Sequence, residues 1–208
     1  APLLGVFVVV RRQSLIADAL SHVTLAGIAF SLFLEKKFFS VFGGLNPLYM
    51  GMTFSVVGSL FIERLRNIYK HYQDLAIPII LSGGIGITVI FISLADGFNT
   101  DLFSYLFGSV SAVSRGDMWL ILIISIIVIA AVIILYKELF LLSFDEDHAR
   151  ASGIPAKSIH FVFIVLVALV IAASMRIVGV LLVSALMTLP VAASMRFANG
   201  FKQLIFYS

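Results

Sequence analysis

The sequence predicts an all-α bundle of membrane-spanning helices, and three observations carry that reading. Apolar side chains make up 61% of the chain and charged ones only 12%, about half the ~25% of a soluble domain. Mean hydropathy is +1.13. The apolar residues also fall into runs of spanning length, roughly 20 residues each, and most runs are apolar all round, as helices facing lipid or one another should be.

Taken in order, residues 1–10 are apolar but too short to span, and read as the end of a longer segment. Full spans are expected at 13–34, 45–62, 76–95, 118–136, 158–175 and 177–195, and 201–208 reads as the start of another apolar segment. The expectation is therefore six full spans with partial first and last ones, about eight in a longer chain, and one transmembrane domain over residues 1–208. Small residues should mark close helix packing, at Ala17 with Ser21, Gly83-Gly84 with Gly86, and Ala192-Ala193. Pro190 should kink the last full span. The chain lacks cysteine, so disulfides and thiolate metal sites are excluded, and its net charge of +3 reflects loop topology rather than nucleic-acid binding.

Lysine and arginine set the orientation. Ten of the 14 basic residues fall in segments 11–14, 63–74, 137–157 and 196–202. The other four are Lys36, Lys37, Arg115 and Arg176. The first set is assigned to the cytoplasmic side, which leaves 96–117 outside. That outer stretch mixes turn and aromatic residues, and reads as a short surface helix or an ordinary interfacial loop.

Residues 143–155 read as one short capped helix in a cytoplasmic loop. Ser143 and Glu146 have capping-box spacing. Asp145, Glu146 and Asp147 suit the positive end of the helix dipole, and Arg150 lies later. Gly153 fits a left-handed C-terminal cap, and Pro155 blocks continuation. Such a helix suits docking of a soluble motor subunit and equally suits a plain connector.

The strongest candidate for chemistry is Asp18 with His22. If Arg11-Arg12 marks the membrane surface, a rise of about 1.5 Å per residue puts Asp18 roughly 9 Å and His22 roughly 15 Å beyond it, the latter near the middle of a core about 30 Å thick. A charged Asp there costs ~2.5–3.5 kcal/mol on insertion scales. Residues i and i+4 share a helix face, so an oxygen and a nitrogen ligand can address one divalent metal ion in transit. A proton relay would use the same pair, and a structural hydrogen bond that joins helices is the plainer alternative. His71, His148 and His160 have no close acidic partner in the membrane and read as surface or interfacial histidines. Gly83, Gly84 and Gly86 are not a phosphate loop, because no Lys-Ser or Lys-Thr follows. The absence of His-Glu-x-x-His argues against an intramembrane zinc protease. The chain reads as no enzyme.

Four stretches, in order, resemble the membrane permease of bacterial zinc, manganese and iron ABC importers. They are the run from Gly5 through Arg11-Arg12-Gln13-Ser14-Leu15-Ile16-Ala17-Asp18-Ala19-Leu20-Ser21-His22, then Leu106-Phe107-Gly108-Ser109 with Asp117, then Phe144-Asp145 through Gly153, and last Val178-Gly179-Val180-Leu181-Leu182-Val183-Ser184-Ala185-Leu186 with Pro190. The resemblance implies a homodimeric permease in the bacterial cytoplasmic membrane, with membrane lipid around it. It also implies two cytoplasmic ATP-binding subunits and an extracytoplasmic metal-binding lipoprotein, and no nucleic acid. It implies no resident cofactor; Zn2+, or Mn2+ or Fe2+, is cargo. The family's intramembrane acid and histidine fall on Asp18 and His22. Its ATPase-coupling helix falls on 144–153, with Phe144, Asp145, Arg150 and Gly153 as the coupling residues, and 106–117 falls near the outer gate. Where many members have Gly-Asp-Ala and Pro-Gly, this chain has Ala17-Asp18-Ala19 and Ala26-Gly27, which removes one backbone kink. Arg11-Arg12 and Arg176-Ile177-Val178-Gly179 lie closer to zinc permeases, so zinc is expected first. The alternatives are a siderophore or cobalamin permease, whose wide path needs no paired ligand, and an ion-coupled secondary carrier, which needs no coupling helix.

Overall fold

The computed structural model describes residues 1–37, 46–69, 72–95, 100–109, 111 and 113–208. Among them it is all helical, apart from turns. The helices are α1 Pro2–Val10, α2 Leu15–Lys37, α3 Pro47–Ile68, α4 Ala76–Leu94, α5 Thr100–Phe107, α6 Arg115–Ile134, α7 Tyr136–Phe144, α8 Glu146–Ala151, α9 Ala156–Val178, α10 Val180–Ser194 and α11 Phe201–Tyr207, with a 3-10 turn at Gln73–Leu75.

Four of these, α2, α4, α6 and α9, are long and apolar enough to cross a membrane. The expected span 45–62 becomes α3, 22 residues long, whose last turns carry Glu63, Arg64 and Arg66. The expected span 177–195 becomes α10, only 15 residues long. The chain does not break at Arg176 but at Gly179, whose φ of +84° suits glycine alone. The expected span 118–136 ends at Leu135, where the chain turns into α7.

Helix α2 is the centre of the bundle. It packs on α3, α4, α9 and α10, and twelve of its residues are buried. Close approach is made with glycine. A Cβ on Gly51 or Gly58 of α3 would meet Ile28 at 2.9 Å or Val23 at 2.7 Å, and one on Gly27 of α2 would meet Met50 and Phe54 at 2.7 Å. Gly84 of α4 plays the same part, with its Cβ position 3.1 Å from Val23 N. Ala17 and Ser21 are buried as expected. Among the described residues of this chain, a Cβ on Gly83 or Gly86 would meet nothing within 4 Å, and Ala192 and Ala193 are exposed. Helix α2 runs unbroken through Asp18, His22 and Gly27, in keeping with the missing Pro and Gly.

Among the described residues, Arg11, Arg12, Arg66 and Lys157 lie at one end of the bundle and Lys36 and Arg176 at the other, as the sequence assigns them. Arg11, Arg12, Arg66 and Lys157 meet around one cavity, and Phe201, beside Lys202, packs on Phe7 and Phe144 at that same end. At the other end Lys36 donates to the Ala95 carbonyl at 3.2 Å and Arg176 pairs with Asp117.

Candidate functional site

Asp18 and His22 lie one turn apart on α2, both half-buried, while Ala17, Ala19, Leu20 and Ser21 around them are buried. The pair is close enough to interact electrostatically. The neighbouring hydroxyls are occupied locally: Ser21 donates to the Ala17 carbonyl at 2.7 Å and Thr24 to that of Leu20 at 2.6 Å. Thr88 of α4 donates to the Gly84 carbonyl at 2.7 Å and reaches the His22 carbonyl at 3.4 Å. Gly84 brings the α4 backbone against His22 and Val23. Among the described residues neither the Asp18 carboxylate nor the His22 imidazole has a hydrogen-bond or ion-pair partner, and no third His, Asp or Glu joins them. One chain thus presents a carboxylate and an imidazole one turn apart on a largely buried helix.

The segment 144–153 is not one helix. Phe144 ends α7, and α8 runs from Glu146 to Ala151. The expected cap at Ser143 is also displaced. Ser143 is still inside α7, where its hydroxyl donates to the Leu139 carbonyl at 2.6 Å, and Asp145 is the residue that turns out of the helical region, with φ −151° and ψ 99°. Its carboxylate accepts from the His148 N–H at 2.8 Å, which is N-cap geometry. The capping hydrogen bond is satisfied two residues later than expected because α7 consumes Ser143 first. The C-terminal end is as expected. Gly153 has φ +80°, and the Ile154 N–H returns to the Ala149 carbonyl at 3.1 Å, the long bond of a Schellman cap. Arg150 lies on α8, but its side chain is outside the described residues, as is the side chain of Glu146.

At the far end the two remaining motif stretches cross. Gly108 has φ +79° and Gly179 φ +84°, and a Cβ on either would stand 2.5 Å from backbone of the other stretch. The Ser109 N–H donates to the Arg176 carbonyl at 3.2 Å. Beside this crossing Asp117, 2% exposed, collects three partners. Arg176 Nη1 lies 2.6 Å from Oδ2, Asn46 Nδ2 donates to Oδ1 at 2.7 Å, and the Ser114 hydroxyl and N–H donate to Oδ2 at 2.7 and 2.9 Å. It thereby ties the starts of α3 and α6 to the end of α9. The Ser114-x-x-Asp117 box is readable from sequence, but Asn46 and Arg176 are not, because no local pattern pairs them with Asp117. The stretch 96–99, expected at this surface, lies outside the described residues.

His160, read as a surface or interfacial histidine without a close acidic partner in the membrane, does have an acidic neighbour. It is half-buried, with Glu63 Oε2 3.0 Å from its Nε2, Arg66 Nη1 2.7 Å from the same nitrogen and Arg11 Nη1 2.8 Å from Nδ1. The contact joins α3 to α9, which the sequence does not announce. His148 is exposed as expected, and His71 lies outside the described residues.

A helical bundle with four helices long and apolar enough to cross a membrane and one strongly basic end is that of a multi-pass membrane protein. The whole chain, residues 1–208, matches the profile of the ABC 3 transport family, and the chain belongs to that family. It is 37% identical over 200 residues to the "Probable metal transport system membrane protein" of Treponema pallidum, covering 96% of this chain and 71% of that one. It is 35% identical to the "Manganese transport system membrane protein MntC" of Listeria monocytogenes, covering 97% and 69%. Among solved structures it is similar to PsaBC from Streptococcus pneumoniae in complex with Fab, at TM-score 0.80 and 32% identity, covering 99% of this chain and 71% of the other.

Proposed function

We propose that this chain is the transmembrane subunit of an ATP-driven importer of a divalent transition-metal ion, and that the ion passes Asp18 and His22. The observation that carries the reading is that an acid and a histidine stand one turn apart on the central helix of a membrane bundle, with neither side chain used by a hydrogen bond or ion pair among the described residues. Helix glue would have spent them. Two groups are too few for a zinc site, which is normally four-coordinate. A second copy about a two-fold axis would bring two carboxylates and two imidazoles together. Manganese would add water or carbonyl oxygens toward about six ligands. The imidazole must be neutral to bind metal, so uptake falls as His22 protonates.

The names of relatives described as manganese transport proteins support manganese ahead of zinc, whereas the arginine and Arg176–Gly179 motifs support zinc. The capped α8, on the Arg11 end, supports a partner ATPase that supplies the energy, and the opposite end supports delivery by an extracytoplasmic metal-binding lipoprotein. The test is uptake of radiolabelled manganese into proteoliposomes holding the permease and its ATPase, with loaded binding protein outside and ATP inside, and with zinc and ferrous iron as competitors. ATP-dependent accumulation supports the reading. Accumulation driven by an ion gradient without ATP makes the chain a secondary carrier instead.

A further inference from the structure

A cavity of about 730 Å3 opens at the Arg11 end, between the α1–α2 turn, the end of α3, the end of α7 and the start of α9. Its described lining carries four cationic side chains, Arg11, Arg12, Arg66 and Lys157, against one carboxylate, Glu63. Part of this charge is held in a bonded cluster around His160 and Glu63. A neutral imidazole has one N–H and one lone pair, and a guanidinium only donates. With its N–H on Nε2, 3.0 Å from Glu63 Oε2, His160 accepts from Arg11 at Nδ1 at 2.8 Å, and Arg66 Nη1 lies 2.7 Å from Nε2. Turned to face Arg66, the Gln13 amide oxygen accepts at 2.9 and 3.0 Å, and Ser143 accepts from Arg11 at 3.3 Å. Arg12 and Lys157 are exposed.

A cavity with this surplus of positive charge suits an added anion, and its position identifies the kind. It sits at the ends of α2 and α9, both long and apolar enough to cross a membrane, at the depth of headgroups. It lies on the end to which the sequence assigns ten of the 14 basic residues, where the anionic leaflet is expected. Phe161, one turn beyond Lys157 on α9, is 45% exposed and Phe144 on the rim is 61% exposed, as aromatic side chains at a membrane interface are. We propose that this cavity holds the phosphate headgroup of an anionic phospholipid.

The full-length protein is taken from vesicles of phosphatidylcholine mixed with phosphatidylglycerol into mild detergent, and retained lipid is read by native mass spectrometry. Phosphatidylglycerol should stay bound in preference to phosphatidylcholine. Arg12→Gln and Lys157→Gln, both exposed and outside the bonded cluster, should each lower its affinity about five-fold, the factor for ~1 kcal/mol per basic side chain. Lys37→Gln at the opposite end should leave it unchanged. Equal retention of the two lipids, or undiminished retention in the cavity variants, overturns the proposal. So does inorganic phosphate that displaces the lipid and stabilises the protein equally in pure phosphatidylcholine, which would make this a soluble-anion site. Loss of the ATPase subunit from the variants with lipid retention intact would make it a protein contact and overturns it too.

Discussion

Asp117 shows how a single side chain can organise one end of this bundle. A carboxylate at 2% exposure is costly to hold charged unless every lone pair is used, and here Arg176, Asn46 and Ser114 use them. Removing one partner of a buried pair costs about 3–5 kcal/mol, and the low end applies because the Arg176 side chain keeps 20% exposure. Asp117→Ala should therefore lower the thermal unfolding midpoint in detergent sharply, and adding Arg176→Met should restore part of the loss by removing a half-buried cation that no longer faces a carboxylate. A double variant no more stable than the single one would contradict the pairing. At this scale the sequence is legible where partners are close along the chain. Asp18 with His22, Ser114 with Asp117, and Gly153 at its cap all follow from spacing. Asn46 with Arg176 and Glu63 with His160 do not, because packing of separate helices sets them and spacing is silent on that.

Helix α8 is a six-residue element held by its ends. It is too short to be stable by propagation alone, so the Asp145 cap and the left-handed Gly153 carry its stability. Losing an Asp N-cap costs ~1 kcal/mol, and a β-branched residue at φ +80° costs more than that. Asp145→Ala and Gly153→Val should each reduce recovery of the ATPase subunit on co-purification, Gly153→Val the more, while the permease inserts normally. Wild-type recovery and transport in both would remove the coupling role from α8. The Ser143 cap was misread because helix α7 has no stop signal before Asp145: Tyr136 to Phe144 are good helix residues, and the Ser143 hydroxyl is spent inside the helix. The break at Gly179 was misplaced at Arg176 for a related reason. Its cause is the close passage of Gly108, a long-range contact, not the local charge.

On the scale of the whole molecule, the division of basic residues between two ends is legible in the sequence and is present in the folded chain. It follows from a simple physical rule acting on every loop at once, so no single pairing has to be guessed. Cysteine scanning tests which end is which, on a background with no native cysteine. Asp117 is too buried to label, so the outer probe is better placed at Arg115, which is exposed, and the inner one at Ser152, also exposed. An impermeant thiol reagent added outside cells should modify Arg115→Cys and spare Ser152→Cys; the reverse pattern inverts the topology. Fold class and the central pair were thus readable from composition, charge and local spacing, whereas the glycine contacts that seat α2 between α3 and α4, and the clusters at either end, needed the third dimension.

The account rests most heavily on Asp18 and His22 as the passage for the ion. The direct test is ATP-dependent uptake of radiolabelled manganese by reconstituted complexes carrying Asp18→Asn, His22→Ala or both, with membrane insertion and ATPase recovery measured on the same preparations. Each single variant should abolish uptake and leave insertion and assembly intact. Wild-type uptake by the double variant would contradict the account and leave the pair as a structural feature of α2.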